Sequence, residues 1–181
     1  MNNASSHPQL IQDCSACADQ KARGCAADIF LRPDDISRAA VNLSKAGYFI
    51  EDISCVDTRE GFLLVYHFDR FQAHHRVSLR ILISKTSPEI PSISETYPGA
   101  DWHERECFDF FGVKFTNHPN LIPLLLDPEH DGPPPLIKKE KDLKDMHELY
   151  PGWTTETISP DSPRFSEAIN HTPTPGQQEQ L

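Results

Sequence analysis

Three groups of residues in this 181-residue chain have the types that chemistry uses. The first is a set of thiols, Cys14-x-x-Cys17 with Cys25 downstream. Structural zinc takes four ligands and most iron–sulfur clusters take four thiolates, so this set is one ligand short. His7 or a partner residue would have to complete it, and the competing view is a polar arm with free thiols. The second group is the charged run from Trp102 to Asp109, which holds Glu104, Arg105 and Glu106. Glu104 and Glu106 point to different sides of a helix, so only Glu106 and Asp109 can converge. Arg105 stands four residues before Asp109 and is expected to pair with it, for about a few tenths of a kcal/mol. Carboxylates interleaved with arginine on a helix are ordinarily ion-pair networks, so no catalytic residue is assigned. The third group is the histidines. His74 and His75 are adjacent at the start of a strand candidate and point to opposite faces, which argues against a shared metal. His67 and His103 have the setting of packed or solvated side chains. The eight glycines are dispersed, with no phosphate-cradling loop, which speaks against nucleotide binding by this chain itself.

These residues must be positioned by the middle of the chain. Residues 1–28 read as a polar, flexible arm. Residues 33–47 have the pattern of an amphipathic helix, with Pro33 at the start, Asp34 and Asp35 at the positive end of the dipole, and Gly47 at the stop. Ile36, Ala39, Ala40 and Leu43 form its apolar face. Strands are expected over 49–56, 62–68 and 76–83. The last alternates Val77, Leu79, Ile81 and Ile83 against Arg76, Ser78 and Arg80, the pattern of a half-buried strand. A helix beside a short, mostly antiparallel sheet is an α+β layer. Fourteen of the sixteen prolines lie from Pro88 onward, which disfavours long regular elements there. The exception is a helix over Gly99 to Phe111, ending at Gly112. Residues 119–181 read as an extended, proline-rich tail, with a short charged helix over 138–149 and a disordered end.

The bulk numbers narrow the function classes. Seventeen basic against twenty-seven acidic residues give a net charge of −10, which argues against a nucleic-acid binder. The apolar runs are far shorter than the ~20 residues a spanning helix needs, so membrane association is expected only through other proteins. Five cysteines without a secretory signal point to a reducing compartment. Trp102, Cys107, Phe108, Phe110 and Phe111 exceed one core-facing stripe of a short helix. Two buried faces are therefore expected, one on the sheet and one on a partner.

The run Ala100-Asp-Trp-His-Glu-Arg-Glu-Cys-Phe-Asp-Phe-Phe-Gly-Val113, followed by Phe115 and Asn117-His-Pro-Asn-Leu121, resembles the 30 kDa subunit of NADH-quinone oxidoreductase, the bacterial complex I. The resemblance covers about residues 30 to 136, so the α+β domain is placed at 29–118. It implies a subunit of the peripheral arm, on the cytoplasmic face of the membrane, without catalytic or cofactor-binding residues of its own. Iron–sulfur clusters and flavin would lie in partner subunits. The partners implied are a hydrogenase-like large subunit and a small iron–sulfur subunit. The residues implied in docking are Trp102, Glu104, Arg105, Glu106, Asp109, Phe111, Gly112, His118 and Pro119. His118 stands in the family motif, with a positioning role for the tail or a contact to the large subunit. Quinone-reducing members usually carry basic residues where this chain has Ile122-Pro123. They carry Leu-Arg-Lys-Asp-Tyr where it has Leu136-Ile-Lys-Lys-Glu140. The same domain occurs in energy-converting membrane-bound nickel–iron hydrogenases and formate hydrogenlyases, where the partner would hold a nickel–iron centre. A third possibility, of another class, is a metal-binding or redox-sensing module using Cys14, Cys17 and Cys25.

Overall fold

The computed structural model describes residues 24–71, 75–150 and 156–170. Four strands form the main sheet: β1 (Ala27–Phe30), β2 (Phe49–Asp57), β3 (Phe62–Asp69) and β4 (Val77–Ile83). Their order is β1-β4-β3-β2, with β2, β3 and β4 antiparallel and β1 parallel to β4. Helix α1 (Ile36–Lys45) follows a 3-10 turn at Pro33–Asp35, and Gly47 ends the element at φ 81°. Two short strands, β5 (Glu89–Pro91) and β6 (Lys114–Thr116), pair in parallel around α2 (Ala100–Phe111). No helix among the described residues is long and apolar enough to cross a membrane.

The pleat sorts the core into two clusters. Phe62, Leu64, Tyr66 and Phe68 of β3 join Val77, Leu79, Ile81 and Ile83 of β4 under the helices, where Ile36, Ala39, Ala40 and Leu43 of α1 meet them. Leu63 and Val65 face the other way and pack with Phe30 and Met146.

Four expectations need correction. Strand β1 begins at Ala27, inside the stretch assigned to a polar arm. It is four residues long, and its pairing with β4 spans about fifty positions, so no local pattern announces it. The polar face of β4 is not solvated. Ser78 is fully buried, and Arg80 donates to Asp28 Oδ1 at 2.9 Å and to the Tyr150 hydroxyl at 3.0 Å. The Tyr150 ring also lies 4.8 Å from the Arg80 guanidinium. Residues 138–149 do not form one helix. A 3-10 turn at Glu140–Asp142 and the one-turn helix α3 (Met146–Leu149) flank an extended Leu143-Lys144. Lys144 there bridges Thr58, so pairing with the β2–β3 turn replaces helix continuation. Finally, Pro163–Asn170 is a helix, α4, within the stretch read as disordered. Ser162 Oγ accepts from the Phe165 N–H near its start, and Phe165 and Ile169 are buried in the main core. Asn42 donates to the Pro160 carbonyl, and the Tyr48 hydroxyl donates to the Ile169 carbonyl.

Residues 156–170 are thus part of the fold. Phe165→Ala should cost about 3–5 kcal/mol, as for other fully buried aromatics. Urea denaturation of the full chain checks this, and an unchanged midpoint would mean that α4 does not support the core.

Candidate functional site

Helix α2 carries most of the residues singled out from sequence. Gly112 stops it in the left-handed region at φ 73°, with its N–H on the Phe108 carbonyl. A Cβ at Gly112 would lie 3.3 Å from Pro134 of the tail, so the glycine also permits that approach. The buried side of the helix is Ala100, Glu104, Cys107 and Asp109, with Phe111 edge-on to Phe62 at 6.0 Å. Trp102 and Glu106 face solvent.

Two of the predicted pairings are absent. Glu106 and Asp109 do not converge, because the first is exposed and the second buried. Arg105 does not pair with Asp109. It lies 3.7 Å from Asp101 and donates to the carbonyls of Ile122 (2.9 Å) and Pro123 (2.8 Å). Asp109 Oδ2 instead accepts three successive backbone N–H groups, those of Leu124, Leu125 and Leu126, at 2.7 to 3.0 Å. Asp101, Arg105 and Asp109 recur every four residues, so they stand on one ridge. That ridge holds residues 117–126 as a strap running along the helix.

The strap begins at Asn117, whose φ of 62° turns the chain back on α2. His118 follows, its side chain fully covered. The Asn120 N–H donates to His118 Nδ1 at 3.0 Å, so the ring proton sits on Nε2. Nε2 faces the Asp101 carbonyl at 3.4 Å and Glu104 Oε2 at 3.7 Å. Glu104 is itself buried and accepts from Ser92 Oγ (2.6 Å) and the Ile93 N–H (2.8 Å). Burial pushes the Glu104 carboxyl up to about 7, against the lowering effect of those two donors. The cluster of Asp101, Glu104 and His118 could not be read from helix periodicity, because His118 arrives from outside the helix. The His118-Pro119 motif was its one sequence signal. Pro119 itself is exposed.

The arrangement suits holding backbone and a proton. Metal ligation by His118 Nε2 would need the other tautomer, which would set an Nδ1 proton against the Asn120 N–H. The description "Respiratory-chain NADH dehydrogenase, 30 Kd subunit" belongs to the family whose sequence pattern matches residues 29–145. The chain belongs to this family. The NADH-quinone oxidoreductase C subunit of Roseiflexus castenholzii is 40% identical over 90 residues, covering 48% of this chain and 52% of that one. Its counterpart in Mycobacteroides abscessus is 32% identical over 136 residues, covering 75% of this chain and 56% of that one. The chain therefore spans about half the length of these relatives. A solved structure titled as the membrane-bound sulfane sulfur reductase (MBS), an archaeal respiratory membrane complex, shares the fold. Its TM-score is 0.61 at 22% identity, over 78% of this chain and 85% of that one.

In this complex I 30 kDa-type domain the described thiols, Cys25, Cys55 and Cys107, are all free. Cys14 and Cys17 lie outside the described residues. Cys25 Sγ is 3.1 Å from Ser78 Oγ, and burial raises its thiol. Burial also pushes Cys107 up to about 12 and Cys55 above its ordinary range, as expected of unreactive core thiols. Among the described residues no group of three metal-ligating side chains is assembled. His67 pairs with Asp52 at 2.6 Å and His75 with the Tyr48 hydroxyl at 2.7 Å, while His74 lies outside the described residues.

Asp109 is the pivot of this site. Asp109→Ala leaves three N–H groups without their acceptor and should cost about 2–3 kcal/mol, with lost amide protection confined first to Leu124, Leu125 and Leu126. Asp109→Asn keeps an acceptor and should cost less. Hydrogen exchange on the full chain measures both, and equal effects of the two substitutions would contradict the role assigned to the carboxylate.

Proposed function

We propose that this chain is a docking subunit of the peripheral arm of a complex I-type NADH-quinone oxidoreductase. It has no redox centre of its own and supports electron transfer to quinone coupled to ion translocation. It sits at the cytoplasmic face and reaches the membrane only through partners: a hydrogenase-like large subunit and a small iron–sulfur subunit. The iron–sulfur clusters and flavin belong to partner subunits.

The observation that carries this proposal is the outward side of α2 and its strap. Trp102, which flanks the Asp101–Arg105–Asp109 ridge, is 67% exposed, with Leu125 at 65% and Ile122 at 51%. Glu104 and Asp109 of the same helix are turned inward, and large apolar side chains are left facing water within the family-matching region. A tryptophan with aliphatic neighbours has the composition of an interface hot spot. The geometry also divides the docking residues named from sequence. Trp102, Glu106 and Pro119 face outward and suit a partner. Glu104, Arg105, Asp109, Phe111, Gly112 and His118 shape the surface from within.

A second possibility is the equivalent subunit of an energy-converting nickel–iron hydrogenase or formate hydrogenlyase. One observation favours it: Ile122-Pro123 presents two carbonyls to Arg105 where quinone-reducing members usually carry basic residues. Nickel in the co-purified large subunit would decide for the hydrogenase.

Because Trp102 makes little use of its side chain in the isolated chain, Trp102→Ala should leave thermal stability unchanged. It should weaken retention in the gently solubilised complex by about 30-fold or more, the ~2 kcal/mol of a hot spot. A native chain that runs alone after gentle lysis, or a Trp102→Ala chain that co-purifies normally, would refute the docking role.

A further inference from the structure

The carboxyl of Glu104 is fully buried, and no lysine or arginine among the described residues pairs with it. On its own helix stand Asp101, a second carboxylate, and the buried thiol of Cys107. From β3 comes the fully buried hydroxyl of Tyr66, whose ionisation Glu104 opposes. From the loop before α2 come two donors, Ser92 Oγ–H and the Ile93 N–H, and from the strap comes His118 at 3.7 Å. His118 Nδ1 accepts the Asn120 N–H, so as seated the ring turns an Nε2–H toward Glu104. Arg105, the nearest guanidinium in sequence, is committed to Asp101 and to the strap carbonyls. An ionised Glu104 is therefore a buried charge with two hydrogen-bond donors and no lysine or arginine against it, a costly arrangement.

We infer that residues 117–120 form a proton-gated flap, seated over Glu104 while that carboxyl holds a proton and lifted when it releases the proton to water. His118 and Asn120 move together, since their contact lies within the strap. Lifting breaks the 3.4 Å contact of His118 Nε2 to the Asp101 carbonyl and admits water to Glu104. Asn117, at φ 62°, is the natural hinge, and the Arg105 and Asp109 contacts keep residues 122–126 in place. The sign follows from linkage. A carboxyl whose pKa is raised in the seated state favours seating below its ordinary range, and that preference is lost as pH rises through the raised value. With about 7 when seated and the ordinary 4.5 when hydrated, the opening equilibrium should rise about tenfold from pH 6 to pH 8. The flap is a property of this chain alone and does not depend on the docking role.

Site-resolved acylation of histidine in the full-length chain, read by mass spectrometry, tests this. His147 is exposed and serves as the internal reference for the reagent's own pH dependence. The rate ratio of His118 to His147 should rise about tenfold between pH 6 and pH 8. In Glu104→Gln, which cannot ionise, the ratio should stay flat. Ser92→Ala removes one donor to the carboxylate and should move the midpoint to higher pH, which keeps the test decisive if the glutamine variant folds poorly. A flat ratio in the native chain, an equal rise in Glu104→Gln, or an unmoved midpoint in Ser92→Ala would each overturn the flap.

Discussion

A proline-rich backbone has few partners within itself, and in this chain charged side chains from earlier elements satisfy it. Asp109 collects three N–H groups of the strap, and Arg105 caps two of its carbonyls. Asp57 accepts the Lys138 N–H, Glu60 accepts the Met146 N–H, and Arg59 donates to the Leu143 carbonyl. Every one of these contacts links an earlier element of the domain to a proline-rich tail with little regular structure of its own to satisfy it. The fold depends on this exchange. Without it the tail would leave the second face of the sheet bare and α2 unstrapped.

That constraint explains why an acidic chain buries so many acids. Asp28, Asp57, Glu104 and Asp109 are all buried, and each has a local role. Asp28 answers Arg80, and Asp57 lies 2.6 Å from Lys85 Nζ. Asp109 answers backbone. Glu104 answers Ser92 Oγ and the Ile93 N–H, and its burial, with Asp101 nearby, raises its carboxyl to about 7.

The same exchange shapes the exposed surface. With the ridge of α2 turned toward its own strap, what faces water is Trp102, Ile122 and Leu125. A subunit that contributes shape and adhesion to a larger assembly needs such a rigid, apolar face more than it needs reactive groups. The thiols of this chain that are described are buried or half-buried, in keeping with that role.

Much of the fold was legible from periodicity. The first helix, the three antiparallel strands and the helix over 100–111 all announce themselves by apolar spacing and by their glycine stops. The family was legible from the Trp102 to Pro119 motif. These features are local, and local pattern is what a sequence displays. Long-range pairing decided the rest. The parallel strand β1, the burial of Arg80 beneath Tyr150, the seating of Phe165 in the core and the choice of Arg105 for carbonyls over Asp109 each join segments far apart in the chain. Spacing on a helix shows which residues share a ridge. Only the tertiary structure shows whether that ridge meets solvent, a partner or, as here, the backbone of its own tail.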